Sequence, residues 1–421
     1  MIHPGIIFAV AVVVFLVSAF PLRWPLPVAF LIAAVVAALL AGFGVPIRHL
    51  VEGGFGFFNL VLLLFAGTFF GQVMRQSGAA DAAADGLERL AGHRVWLLLT
   101  LVGALLFATG MFVGIAGIAV LATGVFAVPA LQRAGLSAHQ TAAFIAVLAT
   151  FGMVAPPMNI SAMVLADGVN MPYSNVARAL LALSLPPALF SVWYFARRLP
   201  ARVPAAETMA RSWPASAAGL LPLAVVIGFW VAVRLFPETI PDPSSALVLV
   251  VGALVAVPSM KREGWRKVFR NSCSGVPLFL AAVLITVGVV VQIMTLTGIR
   301  GWLVIQAMSL ASPWIYPSLF VSLPLFGGVL TSIGSSGVLG IPLAFAFIHQ
   351  EMILNVAALS AVASLAEFIP PTAIAAALAS FVVGGTSIGK VFRAALIPML
   401  VMGGLAVLML IFAAQISQFL T

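Results

Sequence analysis

The Pro-Pro pairs Pro156-Pro157 and Pro370-Pro371 each interrupt a long apolar run. Proline has no backbone donor, and its ring clashes with the turn before it, so neither run continues as one regular helix. In lipid this is a severe constraint. Broken backbone persists there only where protein surrounds it or where it lines a wet cavity. Pro370 follows Pro156 by 214 residues, which sets the two breaks at matching points of two halves. Matched interruptions of that kind mark a binding site near the bilayer midplane, built from discontinuous helices.

Lipid is the right solvent to consider. The 421 residues are 63% hydrophobic and 7% charged, with a mean hydropathy of +1.21. The apolar runs are long and continuous, which fits membrane-spanning helices and not the alternating strands of a barrel. The net charge of +9 does not indicate nucleic acid, because the cations fall between apolar runs, where topology places them. One cysteine, Cys273, excludes an internal disulfide and a Cys-cluster metal site. His3, His49, His93, His139 and His349 show no ligand spacing. No phosphate loop with lysine and no nucleophile-base set is visible, so neither ATP-driven transport nor an enzyme is expected. The run Gly5 to Phe20 has no basic residue ahead of it and no small-residue cleavage pattern, and reads as a retained span.

The chain repeats. Gln72-Val-Met74 and Gly78 match Gln292-Ile-Met294 and Gly298 at an offset of 220, and Gly114-Ile-Ala-Gly117 matches Gly334-Ser-Ser-Gly337 at the same offset. Arg178 matches Arg393 at 215. The expected fold is an all-α polytopic membrane protein with two inverted repeats. Each repeat has five crossings, a re-entrant helical hairpin and a Pro-Pro-broken helix. The first repeat takes residues 1–198, with its hairpin at 95–133 and its broken helix at 139–168. A polar linker, 199–212, is expected on the cytoplasmic side. The second repeat takes 213–421, with its hairpin at 313–349 and its broken helix at 351–382. In that arrangement all of the 20 Lys and Arg except Arg48, Arg178, Arg234 and Arg300 face the cytoplasm.

Glycines mark the hairpin tips: Gly110, Gly114 and Gly117 in the first, Gly327-Gly328 and Gly334 to Gly337 in the second. Glycine permits the tight turn. A helix N-terminus beyond it offers free N–H groups to an anion, and carbonyls at the breaks suit a small cation. The substrate-site candidates are therefore Gly114, Gly117, Asn159, Ser335, Ser336, Gly337 and Thr372. For a coupling cation they are Thr331, Ser332 and Glu367. Glu367 stands out because an ionisable group deep in an apolar run is costly and functional by default. It is a candidate proton carrier or cation ligand, and its counterpart in the first half is Met153. Hydroxyls that only pack helices, and a Glu or Asn held purely by hydrogen bonds, are the competing readings.

Several segments resemble the large membrane subunit of TRAP transporters (DctM-like), within the ion transporter superfamily. The resemblance is carried by Gly71-Gln-Val-Met-Arg-Gln-Ser-Gly78, Val128-Pro-Ala-Leu131, Gly152-Met-Val-Ala-Pro-Pro157, Ile369-Pro-Pro-Thr372 and Val391-Phe-Arg-Ala-Ala-Leu396. It implies a bacterial inner-membrane importer of small organic anions, working by an elevator motion and coupled to sodium. It also implies two partners: a small four-helix membrane subunit and a periplasmic substrate-binding protein. The family's cation sites carry over to Gly114, Ala116, Ala155 and Pro156, and to Ser335, Ser336, Ile369 and Pro370. Three features depart from the pattern. The first tip lacks serines, Met158 stands where serine is usual, and Glu367 is an added acid. Either sodium or a proton thus remains open as coupling ion. A standalone anion carrier without a binding protein remains open too, as does a non-transporting membrane scaffold.

Overall fold

The computed structural model describes residues 2–197, 199–201, 221–236, 238–239, 244–260, 264–309, 312–346, 351–370 and 372–420. Most of the expected linker, from residue 202 on, lies outside them. So do Lys261 to Glu263, Pro371 and residues 347–350 at the end of the second hairpin.

The first half begins with α1 (Pro4–Ala19), α2 (Leu26–Leu40), α3 (Ile47–Phe55), α4 (Phe58–Ser77) and the amphipathic α5 (Ala79–Leu90). The first hairpin is α6 (Val95–Val113) with α7 (Ala116–Arg133), and the first broken helix is α8 (Ala138–Val154) with α9 (Ile160–Gly168). α10 (Ala177–Ala196) follows. The second half has α11 (Leu221–Leu235), α12 (Ser245–Ala256), α13 (Gly264–Ser272), α14 (Val276–Leu296) and α15 (Ile299–Met308). Its hairpin is α16 (Ser312–Leu330) with a second arm made of α17 (Ser332–Ser335), a π-helical turn (Ser336–Gly340) and α18 (Ile341–Ala346). α19 (Met352–Ser364), a 3-10 turn (Leu365–Phe368) and α20 (Ile374–Val382) form the second broken helix, before α21 (Ile388–Ile411) and α22 (Ala413–Leu420). No strand occurs among the described residues. Six helical segments among them are long and apolar enough to cross a bilayer. The chain is an all-helical, multi-pass membrane protein.

Where apolar residues surround a helix on all sides, either protein or lipid must cover it. The two cases separate clearly. α8 is buried without a gap from Thr141 to Val154, and α19 from Leu354 to Ser364, so protein encloses both. α1, α2 and α10 instead expose Val13, Leu16, Leu31, Leu185 and Leu189 to the outside. The broken helices are thus the innermost elements, as their unpaired backbone demands.

Close backbone contact holds the interior together. A Cβ at Gly110 would lie 2.4 Å from the Ala149 carbonyl oxygen, and one at Gly152 would lie 2.2 Å from that of Phe107. α6 and α8 therefore touch through their backbones, as small residues allow between membrane helices. The arms of the first hairpin are tied by Thr109 Oγ1 and Thr123 Oγ1, 2.8 Å apart. On the outside, Gly53 of α3 meets Gly288 and Val289 of α14 in the same manner. Along α4, Gly67 lies against Leu121 and Gly71 against Val125, both on α7.

Arg94, Arg197, Lys390 and Arg393 line neighbouring hollows at one end of the bundle. Arg133, closing α7, bonds Asp85 Oδ1 at 2.6 Å and Glu88 Oε1 at 3.2 Å, and pairs with Asp81 at 3.4 Å, all on α5. Burial pushes the Glu88 carboxyl up, against the opposite pull of Arg133. The Val95 N–H donates to the Ala201 carbonyl, bringing the start of α6 beside the chain that leaves α10.

The first hairpin turns where expected, at Gly114 with φ +72. The second does not. Gly327 and Gly328 lie inside α16, where they admit Ala366 and Ile369 at close range, and Gly334 to Gly337 lie inside the second arm. The turn is at Thr331, with φ +76 and ψ 162. The arms are also longer than half-helices. α6 has 19 residues and α7 has 18, each about 27–28 Å at 1.5 Å per residue.

Gly152→Ala is expected to lower the melting temperature of the detergent-solubilised protein, by the equivalent of about 1–3 kcal/mol of overpacking. Gly404→Ala, where an added Cβ meets nothing within 4 Å, is expected to leave it within about 0.5 kcal/mol.

Candidate functional site

The two broken helices restart differently, and only the first restarts at a residue whose side chain caps it. In the first, Asn159 precedes α9. Its Oδ1 accepts from the Ala162 N–H at 2.9 Å, and its Nδ2 donates to the Val154 carbonyl at 3.0 Å and to Ser360 Oγ at 3.2 Å. The Asn159 N–H donates to the Tyr173 hydroxyl at 3.0 Å. The residue thus spans the break, satisfying a carbonyl at the end of α8 and a donor at the start of α9. In the second, Ala373 precedes α20 with φ +38. Thr372 stitches this break to α16. Its N–H and its Oγ1 both donate to the Gly328 carbonyl, at 2.9 and 3.0 Å.

The two hairpin tips rest on these breaks. A Cβ at Gly114 would lie 2.5 Å from the Met158 carbonyl oxygen, so the first tip sits directly on the first break. The Ala116 N–H, first in α7, donates to Met153 Sδ at 3.3 Å. At the second tip, Thr331 Oγ1 accepts from the Gly334 N–H, and Ser332 Oγ donates to Glu367 Oε1 at 2.8 Å. Glu367 Oε2 accepts from the Ala375 N–H, in the first turn of α20, at 3.2 Å. Glu367 therefore bonds the start of one helix in the second hairpin and the start of another after the second break. Met153 occupies the corresponding place in the first half, where a weak thioether acceptor stands in for the carboxylate.

Between the tips lies a cavity of about 50 Å³, room for a few waters. Ile115, Gly117, Ile118 and Met153 line it from the first half, and Thr331, Ser332, Glu367 and Thr372 from the second. Its outer wall is Leu60, Leu63 and Leu64 of α4 with Leu280, Val283 and Leu284 of α14. No Lys, Arg or His is among the lining residues. Among the described residues, Glu367, 6% exposed, therefore faces the cavity without a counter-cation.

Leu280 and Thr372 also line a second, larger space of about 690 Å³. This vestibule runs between Gln72, Arg75 and Gln76 of α4, Lys267 and Asn271 of α13, Ser380 and Phe381 at the end of α20, and Gly384 to Thr386 after it. It carries two cations, Arg75 and Lys267, and no acid among its lining residues. Leu280 and Thr372 alone are common to both spaces, and mark where the vestibule meets the cavity.

The cavity unites Gly117, Thr331, Ser332, Glu367 and Thr372 of the expected site residues. Gly114, Ala116, Ala155, Pro156, Ile369 and Pro370 stand at the tips and breaks around it without lining it. Asn159 does not line it either, its polar atoms being taken up by Val154, Ala162, Tyr173 and Ser360. Ser335 and Ser336 are buried within the second arm, their hydroxyls donating to the Ser332 carbonyl at 3.4 and 3.0 Å. Gly337 faces Val164 of α9. Their distance from the tip follows from its position at Thr331. The apolar wall on α4 and α14 was not foreseen, nor were Arg75 and Lys267 as vestibule residues. Arg75 does fall within the Gly71 to Gly78 segment already singled out.

No curated protein matches the chain. A family model described as the tripartite ATP-independent periplasmic transporter, DctM component, matches residues 9–359. The match takes in the first break and both hairpins, and ends before Glu367 and the second break. Matched over well beyond half its length, the chain belongs to the DctM family, the large permease component of TRAP secondary transporters.

Proposed function

We propose that this chain imports a small organic anion, coupled to a cation at Glu367, by an elevator motion and as the permease of a TRAP-type system. The observation that carries the reading is the cavity itself. Both tips converge there, and the polar groups of the second half, Thr331, Ser332, Glu367 and Thr372, gather opposite a wall made only of Leu and Val. A site facing an apolar wall suits a body that moves along it, because the wall offers no directional bonds to break. The hairpins and broken helices would form the moving body, and α4 and α14 part of the fixed wall. The inverted arrangement of the two halves belongs to the same reading.

The vestibule supports an anionic substrate. Two cations and no lining acid draw anions toward the Leu280–Thr372 boundary. The cavity beyond is too small for an organic acid as it stands, so substrate entry requires the tips and the wall to separate. The gathering of cations at one end of the bundle argues that this end faces the cytoplasm, in a bacterial inner membrane.

Glu367 supports the coupling. A carboxylate buried without a counter-cation is stable only with compensating charge, either a proton or a metal cation. No other titratable side chain lines the cavity. The facing elements offer Ser332 Oγ and the Ala375 N–H, both neutral donors.

Proteoliposomes holding the purified chain, with a small membrane subunit and a binding protein added in turn, test this directly. Uptake of an organic anion only when both partners are present is the expected result. Uptake by the chain alone would make it a standalone carrier. Silence under every gradient would sink the transport reading.

Wild-type uptake is expected to rise as external pH falls from 8 to 5, and Glu367→Gln to abolish that dependence. A pH-independent wild type whose sodium stimulation vanishes in Glu367→Gln would assign sodium to this carboxylate. A Glu367→Gln variant identical to wild type in both responses would remove Glu367 from coupling.

A further inference from the structure

The cation-rich end holds a third pocket, which shares no lining residue with the transport cavity or the vestibule. It has a volume of about 390 Å³ and lies where the α7–α8 turn, the end of α10 and the start of α21 meet. Its lining includes His139, Arg197, Lys390 and Arg393, with no Asp or Glu. Among the described residues none of the four has an acidic partner within 4.0 Å. The Arg197 guanidinium instead stacks on the rings of Trp193 and Tyr194, at 5.1 and 4.6 Å from their centroids. A neighbouring hollow, lined by Arg94, Trp96 and Trp193, shares Arg197 and Leu199 with the pocket.

Two apolar stripes run away from these cations on the outside of the bundle. On α10, Leu189 is 60% exposed and Trp193 50% exposed, and Arg197 follows at the same helical spacing. On α21, Arg393 is followed by Ile397 and Leu400, which are also exposed. The two helices pack side by side. Exposed Trp at a helix end marks the level of lipid headgroups. Paired stripes that end in cations at that level match a molecule with an anionic head and two acyl tails. Basic pockets between membrane helices on the cytoplasmic side are suited to phosphate headgroups.

We propose that His139, Arg197, Lys390 and Arg393 form a binding site for a phosphate-bearing anion, supplied by an anionic phospholipid whose acyl chains lie along Leu189–Trp193 and Ile397–Leu400. This site is independent of the transport reading and does not require Glu367 to act.

Native mass spectrometry of the full chain, released from micelles with equal phosphatidylglycerol and phosphatidylcholine of identical acyl chains, tests it. The wild type is expected to retain the anionic lipid with a preference on the order of ten-fold. Lys390→Gln/Arg393→Gln is expected to bring that preference close to one. Arg300→Gln, which removes a cation elsewhere, is expected to keep it. If the double variant is not recovered, Arg197→Gln and the wild-type lipid comparison decide. A melting temperature raised by millimolar inorganic phosphate in wild type but not in the double variant, with no lipid preference, would keep the anion site. It would assign its ligand to free phosphate. Equal retention of both lipids with no response to phosphate would overturn the proposal. So would a preference that survives Lys390→Gln/Arg393→Gln or falls equally in Arg300→Gln.

Discussion

A helix interrupted inside an apolar bundle leaves backbone groups that no solvent reaches, and the structure is organised around satisfying them. Asn159 does this at the first break and Thr372 at the second. Glu367 accepts the Ala375 N–H at the second break and also takes the Ser332 hydroxyl at the second tip. These requirements pull the tips, the breaks and the two most deeply buried helices, α8 and α19, to one place. The remaining helices then cover the assembly and present apolar side chains outward. The cavity is a result of this convergence, since two turning chains and two interrupted helices cannot pack to full density at one point.

The halves solve the same problem with different chemistry. Ala116 meets a methionine sulfur where Ser332 meets a carboxylate. The first tip turns through a glycine, while the second turns through Thr331 at φ +76. A β-branched residue there is strained, at a cost of roughly 1–3 kcal/mol. The strain stands next to the one ionisable side chain in the cavity. The second half thus concentrates both charge and strain, while the first supplies the quieter apolar side.

Much of this was visible in the amino-acid order because proline and glycine act locally. The two breaks and the turn at Gly114 fall at residues with local backbone limits, although Pro186-Pro187 lies inside α10 without ending it. The second tip was misplaced for the same reason. Gly334 to Gly337 matched Gly114 to Gly117 in spelling, yet the turn fell on a threonine, which carries no such local signal. Asn159 shows a second limit. A capping amide and a ligand-binding amide are the same residue until the partners at Val154, Ala162 and Ser360 are known. The vestibule exceeds any local reading, since Arg75, Lys267 and Thr386 come from far-separated parts of the chain. The added acid Glu367 was identifiable from hydropathy alone, but its two donors were not.

The seam between α4 and α7 has a mechanical consequence. Leu121 and Val125 fit against Gly67 and Gly71, with the same four-residue spacing on both helices. A ridge seated in notches does not creep. To move along the helix axis, Leu121 must leave its notch and settle about one turn away, near 5–6 Å. Displacement along this seam is therefore indexed by detents, and intermediate positions leave the leucine side chain pressed against backbone.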